Sequence, residues 1–277
     1  MSLFERGTEA HRRAKPNLDC LTRTLSRGLI AQAEGGEANP GRMMEQANPH
    51  CGGCWREGAI VFQLGLARLC WRYWLVLVIV LIGAALVLLQ GGWDHRVLHS
   101  IRVPGNRQLT HLADTVSFWG DEIWSLGLAS VLWSAGALFK RRRWRRLGWA
   151  CLWAFLIASA TMNVARFSLG RARPDSGLAD GFYGPHFKSK YRGFPSGHAT
   201  NSFATAAAVF STSPALGLPC GLYASAVGWS RLQLNHHYPL DVLTGAALGG
   251  FIGWCFGSAL PGARFWLQRK RRAKGAN

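Results

Sequence analysis

The sequence predicts an all-α polytopic membrane protein, a bundle of six transmembrane helices. Two observations lead there. Of 277 residues, 49% are hydrophobic, and they cluster in long, nearly uncharged runs rather than spreading evenly. Such runs suit bilayer-spanning helices better than one soluble core. The 32 Lys and Arg residues outnumber 14 Asp and Glu, giving a net charge of +18, and they gather in short blocks flanking the apolar runs. That distribution orients membrane helices and suits anionic phospholipid headgroups, so the basic clusters point to lipid and not to nucleic acid.

Residues 1–72 form a cytoplasmic N-terminal region, polar and weakly organised up to 58, with Gly35-Gly36 and Asn39-Pro40 as breaks. A short helix is expected near 25–34. Residues 59–72 pair an apolar patch with Arg68 and Arg72, which suits a segment lying along the membrane surface. No cleavable leader is expected, and the first strongly apolar run serves as an uncleaved anchor. Trp71, Tyr73 and Trp74 make an aromatic girdle where that run enters lipid.

The membrane domain covers 73–262. Its first crossing, 73–90, is free of charge and close to the roughly 20 residues a span requires. Residues 93–119 carry Asp94, His95, Arg96, Arg102, Arg107, His111 and Asp114 and are too polar to cross. The spacing of Leu109, Leu112, Val116 and Trp119 instead fits a helix at the interface or against the bundle. The second crossing, 121–139, ends in the basic block 140–146, and the third, 147–165, is stopped by Arg166. Residues 167–195 hold too many glycines and prolines for a span. The fourth crossing is 198–212, the Ser213-Pro214 turn leads to the fifth at 215–230, and the sixth is 240–260. A basic cytoplasmic tail, 263–277, follows.

Six crossings place residues 1–72, the 140–146 block and the tail on one side, all strongly basic. The positive-inside rule makes that side cytoplasmic, as for a bacterial inner-membrane protein with both termini inside. The same count puts 166–198 and 230–241 together on the opposite, periplasmic face.

Those two stretches hold the residues able to do chemistry. Ionisable groups in such apolar surroundings are costly and mark function. Arg166, Arg173 and Arg231 are guanidinium groups suited to the oxygens of a phosphate. Pro195-Ser196-Gly197-His198 precedes a helix, where Ser196 is a helix cap or a phosphate donor and Gly197 allows close approach of an anion. His237 and Asp241 are four positions apart, so on a helical turn they share a face. The carboxylate can then orient one ring nitrogen and leave the other free to attack phosphorus. His198 supplies the acid and base. Taken singly, each arginine is equally a snorkelling residue, and Asp241 and Ser196 are equally caps of the sixth and fourth helices. Convergence on one face favours the chemical reading. His236 lacks the relation to Asp241 and receives no role, whereas His186, Lys188 and Lys190 are loop or headgroup contacts. Cys51 and Cys54 have redox or metal spacing, but no second pair completes a zinc site, and no metal or cofactor is expected.

With these residues in place, the chain resembles the type 2 phosphatidic acid phosphatase superfamily, the membrane lipid-phosphate phosphatases related to vanadium haloperoxidases and glucose-6-phosphatase. The family signature is Lys-x6-Arg-Pro, Pro-Ser-Gly-His and Ser-Arg-x5-His-x3-Asp. The matching segments are Arg166-x6-Arg173-Pro174, Pro195 to His198, and Ser230-Arg231-x5-His237-x3-Asp241, with Arg166 in place of the usual lysine. The resemblance implies that His237 forms a phosphohistidine, Asp241 orients it, and His198 is general acid and base. It also implies that Arg166, Arg173, Ser196, Gly197 and Arg231 bind phosphate without a metal. The expected substrate is a phosphorylated membrane lipid, a phosphomonoester or pyrophosphate. A lipid phosphotransferase using the same histidine, and a non-catalytic scaffold or transporter, are the alternatives.

Overall fold

The backbone is α-helical almost throughout in the computed structural model, which describes residues 54–90, 92–120 and 122–260. Among these residues no strand forms, only an isolated bridge between Arg171 and Phe182. They belong to one compact unit, Gly52–Asn277. The expected helix near 25–34, Cys51 and the basic tail lie outside the described residues.

The helices are α1 (Cys54–Trp71), α2 (Tyr73–Leu89), α3 (Trp93–Ile101), α4 (Arg107–Trp119), α5 (Glu122–Leu138), α6 (Arg142–Leu169), α7 (Gly197–Thr212), α8 (Pro214–Gln233) and α9 (Pro239–Ser258). A helix thus occupies each of the six apolar segments read from the sequence, and the polar 93–119 stretch forms the short pair α3 and α4. Large apolar side chains on the outside, such as Leu81 at 65% exposure, Leu88 at 70% and Leu222 at 66%, would be costly in water and suit lipid.

Among the described residues, length and hydropathy qualify only α6 and α9 as crossings by themselves. The α1–α2 pair adds a third if its 60° bend at Arg72 is one broken span. The 16-residue α7 rises only about 24 Å at about 1.5 Å per residue. It also buries Thr200, Asn201, Ser202 and Thr205. The physical reason is its position: α6, α8 and α9 surround it, so its surface meets protein rather than lipid. Its polar groups are satisfied locally. Thr200 Oγ1 donates to the Ser196 carbonyl at 2.7 Å and Ser202 Oγ to the Gly120 carbonyl at 3.2 Å. The Asn201 side-chain oxygen accepts from Ser159 Oγ at 2.9 Å.

The tightest packing joins α7 and α9. Gly245, Gly249, Gly253 and Gly257 recur every fourth residue on α9 and lie against the backbone at Ser196, Thr200, Ala204 and Ala208 of α7. A Cβ at Gly249 would strike the Thr200 carbonyl oxygen, which cannot move without breaking α7. Small residues at this spacing let helices in lipid touch backbone to backbone. The contact matters because both helices carry site residues at their N-termini.

At the other end, α1 is docked on the bundle by ion pairs and hydrogen bonds. Glu57 accepts from Arg145 Nε at 2.6 Å and Nη2 at 2.8 Å, and Arg68 Nη1 donates to the Ser258 carbonyl at 2.7 Å. The 59–72 segment, read as lying along the membrane surface, is therefore a helix whose inner face, with Val61 and Leu69, is buried. The 140–146 block sits at this same end, where Arg143 Nη2 donates to the Thr212 carbonyl at 2.7 Å.

Gly249→Leu should lower the unfolding temperature of the purified protein in detergent, by an overpacking cost of about 1–3 kcal/mol or more. Gly250, with nothing near its would-be Cβ, is the control, and Gly250→Leu should leave that temperature within about 1 °C.

Candidate active site

The end opposite the basic block gathers the α2–α3 turn, the α6–α7 loop and the α8–α9 loop. Three contacts fasten this end of the bundle together. The Gln233 side chain exchanges two hydrogen bonds with the backbone of Val103, each 3.1 Å. Ser196 N donates to the Asp241 carbonyl at 3.0 Å, tying the start of α7 to the first turn of α9. Arg231 Nη1 donates to Ser117 Oγ on α4.

His237, in the α8–α9 loop, is almost fully buried at 1% exposure. Its Nδ1 lies 2.7 Å from the Gly193 carbonyl oxygen. A carbonyl only accepts, so Nδ1 must carry the ring proton and Nε2 the lone pair. Burial, reinforced by Arg231, Arg166, Arg173 and His198, holds the imidazole well below the ordinary histidine pKa. The ring is neutral at pH 7 and presents an unprotonated nitrogen.

The expected bond from Asp241 to His237 is not made directly. Asp241 Oδ2 is 3.8 Å from Nδ1, beyond hydrogen-bonding range. Both carboxylate oxygens are engaged elsewhere: Oδ2 accepts from Tyr238 N at 2.8 Å, and Oδ1 from Arg171 Nη1 at 2.6 Å. Asp241 therefore caps α9 while its charge stays near the imidazole, and the Gly193 carbonyl does the orienting.

Arg166, in the last turn of α6, donates from Nε to the Pro195 carbonyl at 3.2 Å. Its guanidinium lies so close to Gly197 that a Cβ there would come within 2.7 Å of Nη2. Glycine thus lets the guanidinium approach the start of α7 closely, where a Cβ would push it aside. Ser196 precedes α7 in cap position but makes no side-chain cap bond. Its Oγ is fully buried and has no partner among the described residues, and the same holds for Nε of Arg173 and of Arg192. Buried polar groups are rarely left unpaired, and three orphaned donors beside a helix N-terminus make a site for an anion. His198, the second residue of α7, is half-buried and near enough for its charge to bear on His237. His236, given no chemistry, faces Asp175 at 3.7 Å.

Two residues of this end were not singled out in the sequence. Arg192 belongs with the cations, and its signal was its place just before Gly193-Phe194-Pro195-Ser196. Arg171 is wholly buried among three carboxylates. Besides Asp241, it donates from Nη2 to Asp94 at 2.8 Å and from Nε to Asp180 at 3.0 Å, and its Cζ lies 4.4 Å over the Tyr238 ring. Burial opposes its charge, but Asp241, Asp180 and Asp94 outweigh burial and raise its pKa above the ordinary arginine value. Asp94 in turn accepts from Leu240 N at 2.9 Å. One guanidinium thus joins α3, the α6–α7 loop and α9.

A helical membrane bundle with a neutral histidine facing an arginine cradle at one end is the class this geometry defines. The chain belongs to the PAP2 superfamily, whose family model matches residues 147–265. It is 34% identical over 150 residues to a decaprenylphosphoryl-5-phosphoribose phosphatase of Mycobacterium tuberculosis, covering 53% of this chain and 74% of that protein. A lipid A 4'-phosphatase of Bacteroides thetaiotaomicron is 34% identical over 155 residues, which cover 50% of this chain and 65% of the relative, just under two thirds of its length. A crystal structure of a transmembrane PAP2-type phosphatidylglycerolphosphate phosphatase from Bacillus subtilis is similar at 23% identity and a TM-score of 0.46, covering 65% of this chain and 92% of that one.

Asp94→Ala removes one partner of the wholly buried Arg171 and should destabilise the protein by about 3–5 kcal/mol, read as a fall in unfolding temperature. Asp180→Ala, at the partly exposed edge of the cluster, should cost clearly less in the same measurement.

Proposed function

We propose that this chain is an integral membrane phosphatase that hydrolyses a lipid phosphomonoester or pyrophosphate through a phosphohistidine on His237. One observation carries the reading: the Nδ1 bond to Gly193, which leaves Nε2 as a free lone pair among arginines. The activities of two relatives, a lipid A 4'-phosphatase and a decaprenylphosphoryl-5-phosphoribose phosphatase, support it.

In the first step the Nε2 lone pair attacks phosphorus. The bond to the lipid oxygen breaks, and His198 gives that oxygen its proton. Arg166, Arg173, Arg231 and Ser196, with the α7 backbone at Gly197, take up the charge on the phosphoryl oxygens. The imidazole gains positive charge as it bonds to phosphorus, and the nearby Asp241 carboxylate offsets it. In the second step His198 accepts a proton from water, the resulting hydroxide attacks phosphorus, and the P–N bond breaks. Phosphate leaves and both histidines return to their starting states.

Six membrane crossings with the site outside are part of the same reading. The docked Arg143 and Arg145 lie at the far end from His237, and positive blocks favour the cytoplasmic side. In a bacterium the site then faces the periplasm.

A phosphate-release assay over a panel of phosphorylated lipids, with and without EDTA, tests the proposal. Release should persist in the chelator, and its abolition would contradict the metal-free mechanism. His237→Ala should abolish turnover, and His198→Ala should lower kcat by about 10²–10⁴-fold. An obligatory transferase would release no free phosphate and would instead pass the phosphoryl group to an added acceptor lipid.

The pH dependence follows from the depressed His237 pKa. The nucleophile is active when neutral and is lost as pH falls through its pKa. The acidic limb of kcat/KM assigned to His237 should therefore lie below pH 6.5, and a limb above that value would contradict the neutral buried ring.

A further inference from the structure

Residues 181–194 include His186, Lys188, Lys190 and Arg192 and no carboxylate. Four backbone hydrogen bonds build this loop onto the site. Tyr183 N donates to the Gly170 carbonyl at 3.0 Å, Gly184 N to Leu169 at 3.1 Å and His186 N to Phe167 at 3.1 Å, which clip its first limb to the end of α6. Arg173 N donates to the Lys190 carbonyl at 3.0 Å, which binds its second limb to the phosphate cradle.

Its side chains form a surface of alternating rings and cations. His186 stacks on Tyr191 with centroids 4.1 Å apart and planes at 28°, and Tyr183 packs 5.2 Å from the same ring. Lys190 Nζ is 5.1 Å from Tyr191, and Arg192 Cζ is 5.0 Å from Phe167, which in turn meets Phe187 at 5.1 Å. Phe187 is 77% exposed, and Lys188 and Lys190 are exposed beside it. The exposed Tyr183 and Phe187 rings beside these ammonium groups fit a ligand with both an apolar face and negative charge. A sugar ring presents a flat face of C–H groups, and a phosphate ester on it pairs with ammonium and guanidinium groups.

The surface adjoins the reaction centre. Its last residues reach Gly193, whose carbonyl holds His237, and Arg192 is close enough for its charge to bear on Arg173. We infer that the 183–192 loop is a headgroup subsite for a sugar ring carrying a second phosphate, beside the phosphate under attack. The inference rests on the phosphatase reading, which places the first phosphate at His237. A loop that merely rested in the bilayer interface would use similar residues, but it would not distinguish one headgroup from another.

The test uses the full chain in phosphatidylcholine nanodiscs and measures binding of three lipids. They are one with a disaccharide head bearing two phosphates, its counterpart with one, and phosphatidate. The native protein should hold the two-phosphate lipid about tenfold more tightly than the one-phosphate lipid, and Lys188→Gln with Lys190→Gln should remove most of that difference. Phe187→Ala should weaken both sugar lipids relative to phosphatidate. Equal affinity of the native protein for all three lipids would overturn the subsite. So would a loss from the lysine substitutions that is proportional across all three, which marks general attraction to an anionic surface. Phosphate release from the same samples reads the enzyme assignment separately. Headgroup preference without release would sink that assignment and leave the subsite standing.

Discussion

A carbonyl oxygen cannot donate a hydrogen bond, and that simple fact decides the state of the central imidazole. With Gly193 O at 2.7 Å, the proton of His237 is confined to Nδ1 and the lone pair to Nε2. Burial and the surrounding arginines then make a second proton costly. An exposed histidine would divide its time between tautomers and charge states. Here one backbone oxygen selects the tautomer with a free Nε2 lone pair, and the arginines that exclude a proton are, in the proposed mechanism, the groups that take up the phosphate.

Holding that oxygen in place takes contacts across this whole end of the bundle. Gly193 lies in a long loop, which would be a poor scaffold unless fastened. The Arg171 guanidinium fastens it by bonding Asp94 on α3, Asp180 within the loop and Asp241 on α9. Gly193 N donates to the Arg171 carbonyl at 2.9 Å, so clamp and orienting carbonyl are directly linked. The backbone contact of α7 with α9 sets the remaining dimension, because it fixes Ser196 and His198 relative to Asp241. Stability and chemistry thus depend on the same contacts.

Much of this was legible in the sequence, and the limits have physical causes. Long apolar runs located the helices at 73–89 and 239–258 closely, because a membrane helix must be apolar along most of its length. The three motifs named arginines and both histidines that the structure gathers at one end of the bundle, because each motif sits at or near a helix end. The His237–Asp241 relation was only half legible. Four-residue spacing brings the groups near each other, but it cannot show that two other donors already occupy the carboxylate. Arg171 was hidden for a similar reason: its partners lie 77, 9 and 70 positions away, and nothing local marks it as buried. The crossing count was least legible, because α7 meets protein on its flanks and escapes the composition rule that identifies α9.

The proposed mechanism requires Nε2 of His237 to bond to phosphorus during turnover. Rapid quenching of the protein while it turns over a radiolabelled lipid phosphate, followed by peptide mapping, tests it most directly. An acid-labile, alkali-stable label on His237 is the result expected. Turnover with no trapped label, or with label on another residue, would contradict it.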